Sequence, residues 1–164
     1  MKHLRAIEPE DLDLMYVIEN DMQLWRHGVA TVPFSHYTLQ RYIQDSTMDL
    51  FRDQQVRLAI HDDNGITCGF LDITNFSPRH SRAEVGIVLM SEAQGRGVAT
   101  QALDEAWQYA GNMHIRMLYS IVSEKNISAR RLFLRASYRE AAILPAWLQY
   151  GDETQDAILY QISR

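Results

Sequence analysis

At 164 residues, 46% of them hydrophobic, the chain has enough apolar material for a single packed domain spanning 1–164 and needs no covalent staple. The lone Cys68 excludes an intramolecular disulfide, and the six histidines show neither metal-ligand spacing nor a hydrolase triad, so no metal is expected. A formal charge of −5 argues against a nucleic-acid partner; with no leader-like or membrane-length apolar run, a cytoplasmic protein without a membrane partner is expected.

Glu8-Pro9-Glu10-Asp11 reads as a helix start, because proline fits the first turn and carboxylates suit the positive end of the helix dipole. Leu12, Met15, Tyr16 and Glu19 then mark one face. Ser35 is placed to cap a second helix carrying Leu39, Tyr42 and Ile43. The aromatic-rich segment between these helices is a candidate binding loop. Val56, Leu58 and Ile60 alternate with polar residues, Asp62-Asp63-Asn64-Gly65 has turn chemistry, and Ile66 to Asn75 reads as the returning strand of a hairpin.

A third strand ends in Val85-Gly86-Ile87-Val88-Leu89-Met90, an unbroken apolar run expected at the sheet centre. Ala99, Ala102, Leu103, Ala106, Trp107 and Ala110 recur at helical spacing, with Gly111 as the expected stop. Met117 to Val122 reads as a buried strand, and Asn126 as the cap of a helix whose inner face holds Ala129, Leu132, Phe133 and Ala136. Two last strands, near Tyr138 to Ile143 and Ala157 to Ile162, are expected to flank a loop containing Pro145, Trp147 and Gly151. The fold class is α/β (α+β), with a mixed, largely antiparallel sheet flanked by helices.

Between the apolar strand and the long helix stand Gly95 and Gly97, which let the backbone approach an anion closely and aim successive N–H groups at it. Each charge-assisted bond contributes about 1.5–3 kcal/mol, so several amides plus Arg96 suffice for a pyrophosphate. A plain strand-to-helix turn is the alternative. A P-loop would need Gly-Lys-Ser/Thr, which is missing. A dinucleotide site would want a third glycine where Thr100 stands and an acidic residue about twenty positions on, where Met117 to Ser120 stand.

Gln94-Gly95-Arg96-Gly97-Val98-Ala99, preceded by Ala83-Glu84-Val85-Gly86-Ile87, resembles the acyl-CoA motif of the GNAT N-acetyltransferase superfamily. Leu118 to Val122 followed by Asn126, Ala129, Leu132 and Phe133 is similar to its second cofactor-contacting element. The resemblance runs over nearly the whole chain, in the branch that includes ribosomal-protein alanine and spermidine acetyltransferases. It implies acetyl-CoA as co-substrate, with Ile87, Val88 and Leu89 along the pantetheine arm and Gln94, Gly95, Arg96, Gly97, Val98, Ala99 and Thr100 around the pyrophosphate. Asn126 would lie near the thiol end, and Ala129 and Phe133 would also contact the cofactor. It also implies central strands that splay to admit the arm, an oxyanion donor among the N–H groups near Val88 or Leu89, and a possible homodimer.

The reaction implied is direct attack of an amine on a thioester in a ternary complex. A lysine-like amine with pKa about 10.4 is neutral only about once in 2,500 molecules at pH 7, a cost of roughly 4.6 kcal/mol. A base is therefore needed. Glu84 is the candidate, because the resemblance implies a carboxylate on this strand acting through water; an ordinary polar strand residue is the alternative. Phe133 stands where many members of the family have a tyrosine acid, so the usual donor to the CoA thiolate is missing, with Tyr119, Tyr138 and Ser128 as alternatives. Retention of the cradle without catalysis would make the protein an acyl-CoA-binding protein.

The acceptor pocket implied by the resemblance comes from the segment between the first two helices and from the last loop. Trp25, Phe34 and Tyr37 on one and Trp147 and Tyr150 on the other, interleaved with carboxylates, suit a cationic amine. A small polyamine-like or peptide N-terminal acceptor fits this chemistry.

Overall fold

The computed structural model describes residues 1–21 and 32–164. Its frame is a seven-stranded sheet in the order β1-β2-β3-β4-β5-β7-β6. The strands are β1 Leu4–Ala6, β2 Val56–His61, β3 Thr67–Ser77, β4 Arg82–Leu89, β5 Met117–Ser123, β6 Arg139–Tyr150 and β7 Glu153–Ser163. All neighbours are antiparallel except β4 and β5, whose parallel pairing follows from the helical crossover between them.

Among the described residues the helices are α1 Leu12–Glu19, α2 His36–Asp45, α3 Leu50–Asp53, α4 Val98–Asn112 and α5 Ile127–Arg135. Pro9–Asp11 forms a 3-10 turn leading into α1. Buried Met15 and Ile18 turn α1 inward, whereas Tyr16 of the expected face is left at the surface stacked on His36. Ser35 caps α2 by accepting from the Thr38 N–H at 3.0 Å.

Two apolar clusters sandwich the sheet. On one face, Ala102, Leu103, Ala106 and Ala110 of α4 and Phe133 of α5 pack on Leu58, Leu71, Val85, Leu118 and Tyr160. On the other, Met15, Ile18 and Leu39 pack on Ala59 and Phe70. Each fully buried large side chain contributes about 1.5–3 kcal/mol.

Two expectations need correction. Gly111 does not end α4, which continues to Asn112; instead the missing side chain makes room for the Arg164 guanidinium, which would collide with a Cβ there. The expected loop at Pro145 and Trp147 is strand: β6 runs through both, with its register to β7 shifting between Leu144 and Leu148. A bulge at an edge absorbs a proline that a central strand would reject, and Ala146 takes a positive φ of 48° there.

Candidate active site

The sheet has one parting. β3 stays bridged to β4 from Gly69↔Leu89 through to Ser77↔Arg82, and β5 stays bridged to β7 from Met117↔Ser163 to Ser123↔Ala157. Between β4 and β5 the ladder covers only Arg82↔Met117, Ala83↔Leu118 and Glu84↔Tyr119. Beyond Glu84 the two strands diverge, so β4 backbone groups turned toward β5 there are left for another partner. The parting runs past Ile87, Val88 and Leu89, the residues expected along the pantetheine arm.

At its far end lies the glycine loop. Buried Ala93 and Val98 hold its two ends while Gln94, Gly95, Arg96 and Gly97 stand exposed between them. Gly95 and Gly97 adopt φ values of 74° and 84°, a region costly for residues with a side chain, and the space where each Cβ would lie is open. Gly97 caps α4, so the first N–H groups of that helix, with Val98, Ala99 and Thr100, face outward over the loop. The Gln94 side chain donates to the Leu89 carbonyl at 3.2 Å, tying the loop to the end of β4. The Asp62 carboxyl is held below its usual range first by the Ile66 N–H, against some burial, then by Asn64, with the Arg96 charge adding to them.

Across the parting, Asn126 begins α5 and accepts from the Ala129 N–H at 3.1 Å, fixing that helix's start beside the end of β5. Ala129 and Leu132 are half-buried. Phe133 is 3% exposed, stacked on Tyr160 at 5.8 Å and edge-on to Tyr138 at 5.1 Å. Tyr160 is fixed in turn, donating to Glu140 at 2.7 Å and accepting from Arg130 at 3.2 Å. The Tyr138 hydroxyl is buried without a hydrogen-bond partner among the described residues, and burial pushes its pKa well up.

Glu84 sits at the apex of the parting, half-buried on the face away from α4 and α5. Its Oε2 accepts from the Asn75 side chain at 2.7 Å. Asn75 reaches it because β3 is irregular between Thr74 and Ser77, where Asn75 takes a positive φ of 48°. On the same face Arg82, Met117, Tyr119, Leu159 and Gln161 line an open depression of about 360 Å³.

The expected acceptor aromatics fall into two groups. Phe34 is half-buried at the entry to α2, with both of its backbone groups bonded to the Asn20 side chain at 2.9 and 3.0 Å, and Tyr37 is exposed on the helix itself. Trp147 and Tyr150 lie on the outer strand β6, Trp147 57% exposed. Trp25 lies outside the described residues. Asn75 was not found from the sequence, since only the β3 bulge brings it to Glu84. Also unforeseen is Arg57, which binds Asp72 at 2.6 and 2.8 Å and Glu19 at 2.5 Å under α1 and α2.

Comparison with known proteins agrees with this arrangement. Residues 3–139 match the acetyltransferase (GNAT) domain family. The spermidine N(1)-acetyltransferase of Escherichia coli strain K12 is 26% identical over 136 residues, which is 82% of this chain and 71% of that protein. The spermidine N-acetyltransferase of Vibrio cholerae, solved with CoA and spermine, superposes with a TM-score of 0.84 at 21% identity, covering 98% of this chain and 94% of that one. Mycobacterium smegmatis RimJ, solved with CoA-disulfide, gives 0.84 at 18% identity, covering 98% and 80%. The groups lining the parting fit the cofactor of that family, and no metal-binding group of His, Cys, Asp and Glu occurs among the described residues. The chain belongs to the GNAT acetyltransferase family and is an acetyl-CoA-dependent N-acetyltransferase.

Proposed function

We propose that the protein acetylates a primary amine by direct attack on acetyl-CoA in a ternary complex. The observation that carries this is the parting between β4 and β5, with a glycine cradle at one end and a carboxylate at the other. Residues 94 to 100 hold the pyrophosphate, Ile87, Val88 and Leu89 align the arm, and Asn126 and Ala129 border its thiol end. Glu84 removes the ammonium proton through water; Asn75 orients one carboxylate oxygen and leaves the other to act. An N–H near Val88 or Leu89 steadies the oxyanion.

The acceptor is a small polyamine-like or N-terminal peptide amine, a reading supported by the spermidine acetyltransferases among the relatives. Residues 1–164 work as one domain in the cytoplasm, able to pair with a second copy. No helix among the described residues is long and apolar enough to cross a membrane.

The test is acetyl-CoA-dependent thiol release with spermidine, N-terminal peptides and aminoglycosides, against an amine-free control. Stimulation by spermidine or a peptide is the expected result. CoA binding without amine-dependent release would favour the second reading, an acyl-CoA-binding protein, which the absence of a hydroxyl on Phe133 and its close packing make specific.

A further inference from the structure

The departing thiolate needs a proton donor, and the position where the family carries one is closed. Phe133 has no hydroxyl, and the Tyr138 hydroxyl is sealed from solvent. Ser128 is exposed on the outer side of the first turn of α5. Tyr119 differs from all three. It forms the last bridged pair of the parting with Glu84, so the two side chains leave neighbouring strands on the same face. It also lines the open depression on that face, beside Arg82, Leu159 and Gln161.

We propose that Tyr119 is the proton donor to the departing CoA thiolate and is recharged through Glu84. This rests on Glu84 being the base. The ammonium gives one proton by water to the Glu84 carboxylate, the neutral nitrogen bonds to the thioester carbonyl carbon, and the carbon–sulfur bond breaks. The Tyr119 hydroxyl proton goes to the sulfur, the proton on Glu84 moves to the phenolate, and the extra proton on the acylated nitrogen leaves to solvent. Amide and CoA thiol leave, and both side chains regain their starting states.

The pairing makes Tyr119 a timed acid. Burial, and then the negative charge of Glu84, push its phenol pKa up, with Arg82 pulling the other way and hydrogen bonding to Glu84 adding to the rise. These are the charged groups facing it from β4. The phenol therefore holds its proton in the resting enzyme. Once Glu84 has taken the amine's proton, the charge that held the phenol proton is gone, so Tyr119 becomes a stronger acid as the thiolate forms.

The test compares Tyr119→Phe with Glu84→Gln, each checked by CoA affinity and melting temperature. With spermidine, both variants should lose about a hundredfold in kcat, with KM for acetyl-CoA unchanged. Hydroxylamine, already neutral at pH 7, needs no base but still expels the thiolate; in a single turnover with it, where no recharging of the phenol is needed, Glu84→Gln should recover and Tyr119→Phe should stay slow. Normal turnover by Tyr119→Phe beside a slow Glu84→Gln overturns the donor and leaves the base standing, and normal turnover by both overturns both. Should Tyr119→Phe fold poorly, 3,5-difluorotyrosine at position 119 keeps the shape with a more acidic phenol. The alkaline limb of the kcat profile should then move to lower pH, and an unmoved limb overturns the assignment.

Discussion

The two halves of the sheet are held in different ways. From β1 to β4 the face away from α4 and α5 is covered by α1 and α2 and clamped by ion pairs, Arg57 with Asp72 and Glu19, and Arg5 with Asp11. From β5 to β7 the same face carries the open depression at Met117, Tyr119, Leu159 and Gln161, and β6 is exposed along most of its length. Glu84 stands on the border. The covered half sets Glu84, the proposed base, and the proposed cofactor strand in place, while the uncovered half leaves the room proposed for an acceptor. Substitutions in the first should therefore act on stability, and those at the border on turnover.

The largest effect is expected at Arg57. Burial alone would lower its pKa, but Asp72 and then Glu19 hold the guanidinium protonated. Arg57→Met should take the guanidinium from half-buried Asp72 and Glu19 and cost about 3–5 kcal/mol in urea unfolding. A loss below about 1 kcal/mol would show that this half is not clamped by charge.

A smaller effect is expected at Asp11, 3% exposed and bonded to Arg5 by two contacts of 2.7 Å. Burial pushes its pKa up, but bonds from Arg5 and the Glu8 N–H, the Arg5 charge and the Thr67 hydroxyl more than offset it, so the folded value is lowered. A lowered carboxyl stabilises fully above its unfolded value, about 3.9, and that stabilisation is lost as pH falls through the folded value. Asp11→Ala should cost about 1.5–3 kcal/mol at pH 7, and the gap to wild type should close at acid pH. A gap independent of pH would remove the ion pair as the cause.

The smallest stability effect is expected at the border. Gly86 lies two residues from Glu84 on the same face, in extended backbone with open space where its Cβ would be. Gly86→Ala should stay within about 1 kcal/mol of wild type, on the stable side, while the KM of the amine rises severalfold and that of acetyl-CoA does not. Equal changes in both would place Gly86 on the cofactor side of β4.

Legibility followed the range of the interactions. Ser35 and Asn126 cap their helices as their spacing predicts, because a cap closes within three residues. The helical repeat from Ala99 to Ala110 and the hairpin turn at Asp62 to Gly65 are likewise local. Gly111 misled because a glycine near a helix end has two explanations, and the choice lies with Arg164, at the other end of the chain. Pro145 misled because a proline excludes a central strand but not a bulged edge, and nothing local to it shows where β6 falls in the sheet.

The sequence by itself determined the acetyl-CoA fold and its glycine loop, since the left-handed backbone at Gly95 and Gly97, the apolar strand before them and the amphipathic helix after them are encoded in one contiguous stretch. Tertiary structure alone decided that Glu84 faces Tyr119 and Asn75, that Phe133 is sealed by Tyr138 and Tyr160, and that Arg57 gathers two carboxylates. Those partners come from different strands and helices, and which of them meet depends on strand order and register, which pairwise spacing along the chain does not contain.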